Sequence, residues 1–186
     1  MAKGTRQIIS VGSGFDTRPV IFRADGVTFF DVDQPAVVAY KREMLERHGI
    51  EAWPAVLCDY LDVNLPRELR EVGFDPDLPS LFIREGNTMY LPRDLIFGFL
   101  DQLAEGLPAF SIAFDYMSTW VIEGTSGVES VTKAFDYFYE RFTPFITGFD
   151  DPTEFEQNTR LKVIGSGGMD ELGVRNDSQF EVTVQV

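Results

Sequence analysis

Cysteine and histidine are almost absent from this chain of 186 residues, which has one of each, Cys58 and His48. No disulfide can form within the chain, and a tetrahedral zinc site of nitrogen and sulfur ligands lacks the side chains it needs. Catalysis by Ser-His-Asp or Cys-His groups is disfavoured for the same reason. His48 falls late in a predicted helix, beside Gly49, where a structural role at the helix C-terminus is favoured over a catalytic one. We therefore expect no metal centre.

Positive charge is scarce as well: 16 Lys and Arg stand against 30 Asp and Glu, for a net charge of -14. Because nucleic-acid binding depends on cations that neutralise phosphates, nucleic acid is not an expected partner. An anionic membrane surface is disfavoured on the same ground. The sequence has no apolar stretch of about 18 residues, and residues 1–10 lack the apolar core of a signal peptide. These features predict a cytoplasmic location.

Apolar segments that alternate with helical ones dominate the first two thirds of the chain. Strands are predicted at 7–11, 27–32, 55–58, 80–84 and 110–116, and helices at 35–48, 65–72 and 93–105. This alternation predicts an α/β fold with a mainly parallel sheet and helices on both faces. Helices at 128–142 and 153–158 follow, and strands 161–164 and 180–186 are expected to pair antiparallel at one edge, giving seven strands. The 17 Phe predict an aromatic core. With no interdomain linker, residues 1–186 are interpreted as one domain.

A glycine-rich turn follows the first predicted strand. The strand runs into Gly12-Ser13-Gly14, where the backbone can approach a ligand closely. About 20 residues later, the second strand ends in Asp31-Val32-Asp33, and an acidic side chain there can accept hydrogen bonds from ribose hydroxyls. Together the segments predict a nucleoside-binding crevice. The alternative is a simple strand-to-helix turn, with Asp33 as the cap of the next helix.

The residues after this turn favour S-adenosylmethionine over a dinucleotide. A dinucleotide fingerprint requires a third Gly where this chain has Thr17. The Asp16 carboxylate would also repel a pyrophosphate, whereas it suits a ligand that carries a sulfonium and an ammonium. A nicotinamide-dependent oxidoreductase is therefore the weaker hypothesis.

Two further polar segments follow the third and fourth predicted strands. Asp59 can accept from an adenine amino group while Tyr60 packs on its ring, although a turn-forming Asp is the simpler interpretation. Glu85 is suited to hold an amino group, and Asn87 and Tyr90 to position a methyl acceptor. The alternative for this second segment is a polar loop that precedes a helix.

Three segments, 7–18, 30–37 and 85–92, resemble in order the motifs of the leucine carboxyl methyltransferase-like family. The resemblance implies a Rossmann-like class I fold, S-adenosylmethionine as cofactor, and methyl transfer to oxygen, often of a carboxylate. It also implies that Gly12 and Gly14 line the cofactor, and that Asp33 binds the ribose. The resemblance further implies that Asp59 and Tyr60 flank the adenine of the cofactor. It implies that Glu85 contacts the amino-acid end of the cofactor, with Asp16 and Arg18 nearby.

The chain departs from this family before its first strand, where members usually carry a long helical segment that covers the site. Here residues 1–6 precede the strand. We therefore expect a partner or a homodimer to supply the lid for a small-molecule or protein carboxylate acceptor. Because a carboxylate is already nucleophilic, no strong base is required, and Tyr90 and Asn87 are the candidates for positioning it. The alternative is a non-catalytic remnant that acts in binding or assembly.

Overall fold

Short apolar runs bounded by Gly, Pro or Asp form the strands of a central parallel sheet. The computed structural model describes residues 4–125, 127, 129–141, 144–168 and 184–185. The parallel strands are β1 (Gln7–Val11), β2 (Thr28–Asp33), β3 (Ala55–Leu57), β4 (Ser80–Arg84) and β5 (Ser111–Phe114). They lie in the order β3-β2-β1-β4-β5. The winding direction thus reverses between β1 and β4, and such a reversal opens a crevice at the carboxyl ends of the strands. The predicted α/β fold with a parallel sheet is confirmed.

Strand β1 occupies the centre of this sheet. Ile9 is the register partner of Phe30 on one side and of Phe82 on the other, and all five residues of the strand are buried. A strand buried on both faces is mostly apolar instead of strictly alternating, which explains why Ile8, Ile9 and Val11 fall in one short run. The one amide, Gln7, is satisfied by the backbone of Asp75, with bonds of 2.7 and 2.9 Å.

Seven α-helices and one 3-10 turn connect the strands in the described part of the chain. They are α1 (Arg18–Ile21), α2 (Pro35–Arg47), α3 (Leu65–Glu71), the 3-10 turn Thr88–Tyr90, α4 (Arg93–Gly106), α5 (Thr119–Ile122), α6 (Glu129–Tyr139) and α7 (Thr153–Asn158). The helices predicted at 65–72, 93–105 and 153–158 are confirmed to within a residue. Residues 128 and 142, which ended the predicted α6, lie outside the described residues.

The two ends of α2 test the predictions made for Asp33 and His48. Asp33 does not cap the helix: Gln34 holds the cap position, and the Asp33 carboxylate accepts instead from the Gly14 and Gln34 backbone N–H groups. The alternative interpretation of Asp33 as a helix cap is therefore wrong, because Asp33 still belongs to β2, one residue before the cap position. At the other end His48 is the C-cap, and its Nδ1 lies 2.8 Å from the Met44 carbonyl oxygen, consistent with a structural role.

An aromatic cluster joins the second half of the chain to the sheet. Phe155 is 1% exposed, and its ring centroid lies 4.6 Å from that of Phe149 and 4.8 Å from that of Phe114. The Arg93 guanidinium, at the start of α4, lies 4.4 Å from the Phe149 ring centroid and also pairs with Glu154 in α7. The predicted aromatic core is confirmed in this region.

The edge of the sheet beyond β5 carries two further strands of two residues each, β6 (Lys162–Val163) and β7 (Val184–Gln185). Strand β7 pairs antiparallel with both β5 and β6. Residues 180–183 and 186 of the predicted edge pair lie outside the described residues. The five parallel strands are the part of the fold that positions the site. Within the described residues, no helix combines the length and apolar character needed to span a membrane.

Candidate functional site

The glycine turn after β1 is held against β2. Gly12 and Ser13 donate their backbone N–H groups to the Val32 carbonyl, at 2.9 and 3.1 Å. The Gly14 N–H donates to the Asp33 carboxylate at 2.7 Å. Gly12 and Gly14 have φ angles of +66° and +47°, a region that L-residues with side chains disfavour. Glycine is therefore favoured at both positions, and the turn forms a rim at the carboxyl edge of the sheet.

A crevice of about 610 Å³ opens between this turn and the end of β4. Its walls are the end of β1, the glycine turn, the start of α1, and Ile83, Glu85 and Gly86. The structure brings four of the predicted site residues together on these walls, Gly12, Asp16, Arg18 and Glu85. The other six do not line this crevice: Gly14, Asp33, Asp59, Tyr60, Asn87 and Tyr90. The crevice lies at the switch point between β1 and β4, where open parallel sheets bind ligands.

Arg18 links the two carboxylates of the crevice. Its Nε donates to Asp16 Oδ2 at 2.8 Å, and its Nη2 lies 3.2 Å from Glu85 Oε2. Ser10 Oγ also donates to Asp16, at 2.9 Å. Burial acts to raise the pKa of Asp16, but the bonds from Arg18 and Ser10 outweigh it and leave that pKa below its usual value. Two carboxylates against one guanidinium make this end of the crevice net negative, which suits a cationic group of a ligand.

Asp33 and Asp59 stand at the ends of neighbouring strands, β2 and β3. The two ends are joined by the Cys58 N–H, which donates to the Asp33 carbonyl at 3.0 Å. Asp59 is exposed and accepts from the Leu61 N–H at 3.0 Å, which is the turn geometry expected of the simpler interpretation. Burial raises the pKa of the Cys58 thiol to about 11, so this thiol stays protonated at neutral pH.

Tyr60, Arg84 and Asn87 form a polar group next to the glycine turn, in which Tyr60 and Arg84 are buried and Asn87 is half-buried. The Tyr60 hydroxyl donates to Asn87 Oδ1, and the Tyr60 ring packs edge-on against Phe99 at 5.0 Å between centroids. Arg84, which is 0% exposed, lies 5.7 Å from the Tyr60 ring centroid. The structure thus places Tyr60 in the core and joins it to Asn87, a contact that the sequence did not predict. Its contact with an adenine ring stays a prediction.

The loop after β4 is fixed from two sides. Tyr90 lies in the 3-10 turn, half-buried, and its ring packs edge-on against Phe145 at 5.1 Å. The Gly86 N–H donates to the Asp115 carboxylate at 2.8 Å, and burial raises the pKa of Asp115. The sequence reasoning missed Asp115. Its position directly after an apolar strand is the signal that could have identified it, because the same signal singled out Asp33.

Phe15 is a second residue that the sequence reasoning missed. Its ring is 65% exposed, lines the crevice, and packs edge-on against Tyr40 of α2 at 5.5 Å between centroids. An exposed aromatic ring at the mouth of a polar crevice offers apolar contact area to a bound molecule. Within the described residues, no group of three or more His, Cys, Asp or Glu side chains is arranged to hold a metal ion.

Comparison with known proteins gives a family match over the part of the chain that carries this site. A model of the leucine carboxyl methyltransferase family matches residues 1–104. A Mycobacteroides abscessus protein, provisionally named an S-adenosyl-L-methionine-dependent methyltransferase, is 36% identical over 127 residues. That alignment covers 63% of this chain and 40% of the relative, so the chain spans less than half of the relative's length.

Solved structures resemble this fold over nearly the whole chain. A provisionally named methyltransferase from Thermobifida fusca has a TM-score of 0.62 at 15% identity, covering 97% of this chain and 71% of its own. A provisionally named O-methyltransferase from Nostoc punctiforme has a TM-score of 0.61 at 12% identity, covering 98% and 52%. At such identities the likeness shows the fold alone, a Rossmann-like methyltransferase fold.

Proposed function

Because the chain belongs to the leucine carboxyl methyltransferase family, we propose that it binds S-adenosylmethionine in the crevice between β1 and β4 and methylates an oxygen nucleophile. The observation that carries this proposal is the glycine turn clamped by Asp33 and faced by the Glu85 carboxylate across the crevice. This arrangement places acceptors for hydroxyl and ammonium groups on either side of an open backbone turn.

The polar groups of the crevice match the polar groups of the cofactor. Asp33 Oδ2 already accepts from Gly14, but a carboxylate oxygen has a second lone pair, so it can also accept from a ribose hydroxyl. Asp16 and Glu85 provide the negative field for the ammonium of the amino-acid end. Asp59, exposed at the end of β3, is proposed for the adenine amino group, with Tyr60 beside it.

The chemistry asks little of the protein beyond binding and alignment. When bound, S-adenosylmethionine supplies an electrophilic methyl group on a sulfonium. The residues of the chain align the acceptor oxygen and exclude water, and such alignment supplies much of the rate. A carboxylate acceptor needs no general base, which agrees with a protonated Cys58 and with a His48 that serves a helix end. Tyr90 and Asn87, after β4, are proposed to position the acceptor, a carboxylate of a small molecule or of a protein.

Two further features belong to the same proposal. The C-terminal strands β6 and β7 are proposed to complete a seven-stranded sheet with an antiparallel edge. A second copy or another chain is proposed to cover the crevice, since the Phe15 ring at its mouth is 65% exposed.

Thermal unfolding with S-adenosylhomocysteine, and with NAD as control, tests the cofactor. A ligand at about 100 times its dissociation constant stabilises a fold by roughly 2.7 kcal/mol. For a chain of this size, each kcal/mol shifts the midpoint by roughly 2–4 °C. We expect a shift with S-adenosylhomocysteine alone. Glu85→Gln should reduce it, while Glu123→Gln, an exposed control, should not.

The outcomes separate the candidate functions. A shift with NAD would favour an oxidoreductase, and no shift with either ligand would contradict the proposal. Tight binding without methyl transfer to any carboxylate in an acceptor library would point to a non-catalytic binding protein.

A further inference from the structure

The side-chain amide of Asn87 is held through its oxygen. The Tyr60 hydroxyl donates to Asn87 Oδ1 from the end of β3, and Arg84 Nη2 lies 3.4 Å from the same atom. Both described hydrogen bonds of this side chain therefore end on the oxygen. Since the two donors come from different strand ends, they constrain the amide from two directions.

The chemistry of Arg84 determines which way the amide faces. A guanidinium has donors only, so the Asn87 atom that faces it must be the oxygen. The Tyr60 hydroxyl, which can donate or accept, then donates to that oxygen. The amide nitrogen consequently points away from the buried pair, and a flipped amide would place N–H groups against a guanidinium.

The amide nitrogen faces the glycine turn. A Cβ atom placed on Gly12 would lie 2.7 Å from Asn87 Nδ2, nearer than real Cβ contacts come. Gly12 lines the crevice. The missing side chain at Gly12 therefore does two things: it permits a φ of +66°, and it leaves room for the Asn87 N–H2 group beside this wall of the crevice.

Burial of the charged Arg84 side chain costs solvation free energy, and this cost calls for an explanation. The residue is 0% exposed, and its Nε and Nη1 have no hydrogen-bond partner among the residues that the structure describes. The aromatic rings of Tyr60 and Phe99 lie 5.7 and 5.3 Å away and offset only part of the lost solvation. A role in a functional site is one explanation for a buried group left unsatisfied in this way.

We propose that Tyr60 and Arg84 are positioning residues that aim the Asn87 N–H2 group at an oxygen of the bound cofactor, on its ribose or its carboxylate. The proposal rests on the proposed function, since it needs a cofactor on the glycine turn. It makes Asn87 a hydrogen-bond donor to the cofactor, and its second N–H remains for the methyl acceptor. In this proposal Tyr60 orients the Asn87 amide from the core through its hydroxyl group, instead of packing against the adenine ring.

Asn87→Asp and Tyr60→Phe separate this role from a purely structural one. Asn87→Asp keeps an oxygen for Tyr60 and Arg84 but replaces the donor with an acceptor. We expect S-adenosylhomocysteine to bind about tenfold more weakly, which is the effect of one lost hydrogen bond, while the folded protein persists. Tyr60→Phe removes only the hydroxyl and should weaken binding less. In the Asn87→Asp background it should leave the dissociation constant unchanged, because the donor it positions is gone.

A spectroscopic readout follows the amide directly. The Asn87 side-chain N–H2 signals are the pair that Asn87→Asp removes from a nitrogen–proton correlation spectrum. We expect S-adenosylhomocysteine to shift this pair together with the Gly12 and Gly14 backbone signals. A shift with 5′-methylthioadenosine as well would assign the ribose, and a shift only with S-adenosylhomocysteine would assign the carboxylate. Tyr137→Phe, at an exposed tyrosine in α6, is the matched control and should alter neither binding nor the Asn87 signals.

The failures are distinguishable. If the Gly12 and Gly14 signals shift while the Asn87 pair does not, the positioning role is overturned and the proposed function stands. If Tyr60→Phe lowers only the unfolding midpoint, with the dissociation constant unchanged in an otherwise wild-type chain, Tyr60 is structural and the inference fails. If no signal responds to S-adenosylhomocysteine, the proposed function fails, and this inference fails with it.

Discussion

The carboxylate of Asp33 accepts a hydrogen bond from the Gly14 backbone N–H at 2.7 Å, so the end of β2 clamps the turn that follows β1. The same carboxylate accepts from the Gln34 N–H, also at 2.7 Å. A side chain that is proposed to bind ribose is therefore also a structural support of the turn on which the cofactor would lie.

Replacement of Asp33 is expected to affect stability and binding together. Asp33→Ala leaves two backbone N–H groups without their acceptor, which should lower the free energy of unfolding by about 1–3 kcal/mol. Affinity for S-adenosylhomocysteine should fall as well, because the turn loses its clamp. Denaturant unfolding and calorimetric titration measure the two effects. Asp62→Ala, at an exposed position, is the control. An Asp33→Ala chain unchanged in both respects would contradict the assignment.

Alanine at the two glycines of the turn should have unequal effects. Both positions have positive φ, so each alanine costs about 1–2 kcal/mol in backbone energy. A Cβ on Gly12 also meets Asn87 Nδ2 at 2.7 Å, whereas a Cβ on Gly14 meets nothing within 4 Å. Gly12→Ala should therefore be the more destabilising in denaturant unfolding. Gly14→Ala should reduce S-adenosylhomocysteine affinity by filling open space in the turn. Equal stabilities of the two variants would count against the Gly12–Asn87 contact.

The Asp16–Arg18 pair should make a pH-dependent contribution to stability. Burial raises the pKa of Asp16, but the bonds from Arg18 and Ser10 bring it below 3.8 in the folded protein. A group whose pKa falls on folding stabilises the folded state above its unfolded pKa, and this contribution is lost as the pH falls through the folded pKa. The difference in unfolding free energy between the wild type and Asp16→Asn should be constant above about pH 5 and should shrink below about pH 4. If the difference in unfolding free energy between the two proteins grew on acidification, the pKa of Asp16 would be raised on folding and not lowered.

The Arg93 contacts should stabilise the packing of the C-terminal half on the sheet. Its Nη2 donates to the Gly148 carbonyl at 2.5 Å, and its guanidinium stacks on Phe149 and pairs with Glu154. Arg93→Ala should lower the free energy of unfolding by about 1–2 kcal/mol, through lost packing and hydrogen bonds. Lys133→Ala, which breaks an exposed pair with Glu129 inside α6, should cost less than about 0.5 kcal/mol. Similar losses in the two variants would show that the Arg93 contacts add nothing beyond a surface charge pair.

The strands and the turn could be predicted because their signals are local. Strand β1 is a short, mostly apolar run that stops before Gly12, and its observed bounds match the predicted ones. Helix α2 begins at Pro35, as the preference of proline for a first turn suggests. In each case the neighbouring residues suffice, since burial and backbone preference act over a few positions.

The contacts that join separate strand ends could not be predicted in the same way. Tyr60 and Asn87 are 27 residues apart, and their hydrogen bond depends on how loops from β3 and β4 meet. The Gly86–Asp115 bond likewise joins β4 and β5 across 29 residues. The interpretation of Asp33 as a helix cap failed for a related reason. A carboxylate at the end of a strand can accept from the N–H groups of the next helix or from those of the neighbouring turn, and here it accepts from Gly14 in the turn. Side-chain partners at such junctions depend on tertiary structure, which periodicity does not encode.

The central position of β1 has a consequence for how the chain folds. One edge of β1 pairs with β2, which is nearby in sequence. The other edge pairs with β4, whose Ser80 lies 73 residues from Gln7. Closing so long a loop is slow, because the chain loses conformational entropy before the stabilising contacts between β1 and β4 have formed. A growing chain that stops short of β4 therefore exposes an apolar strand edge, the kind of edge that promotes aggregation. Folding yield should accordingly depend on the speed with which residues 80–84 reach the first strand.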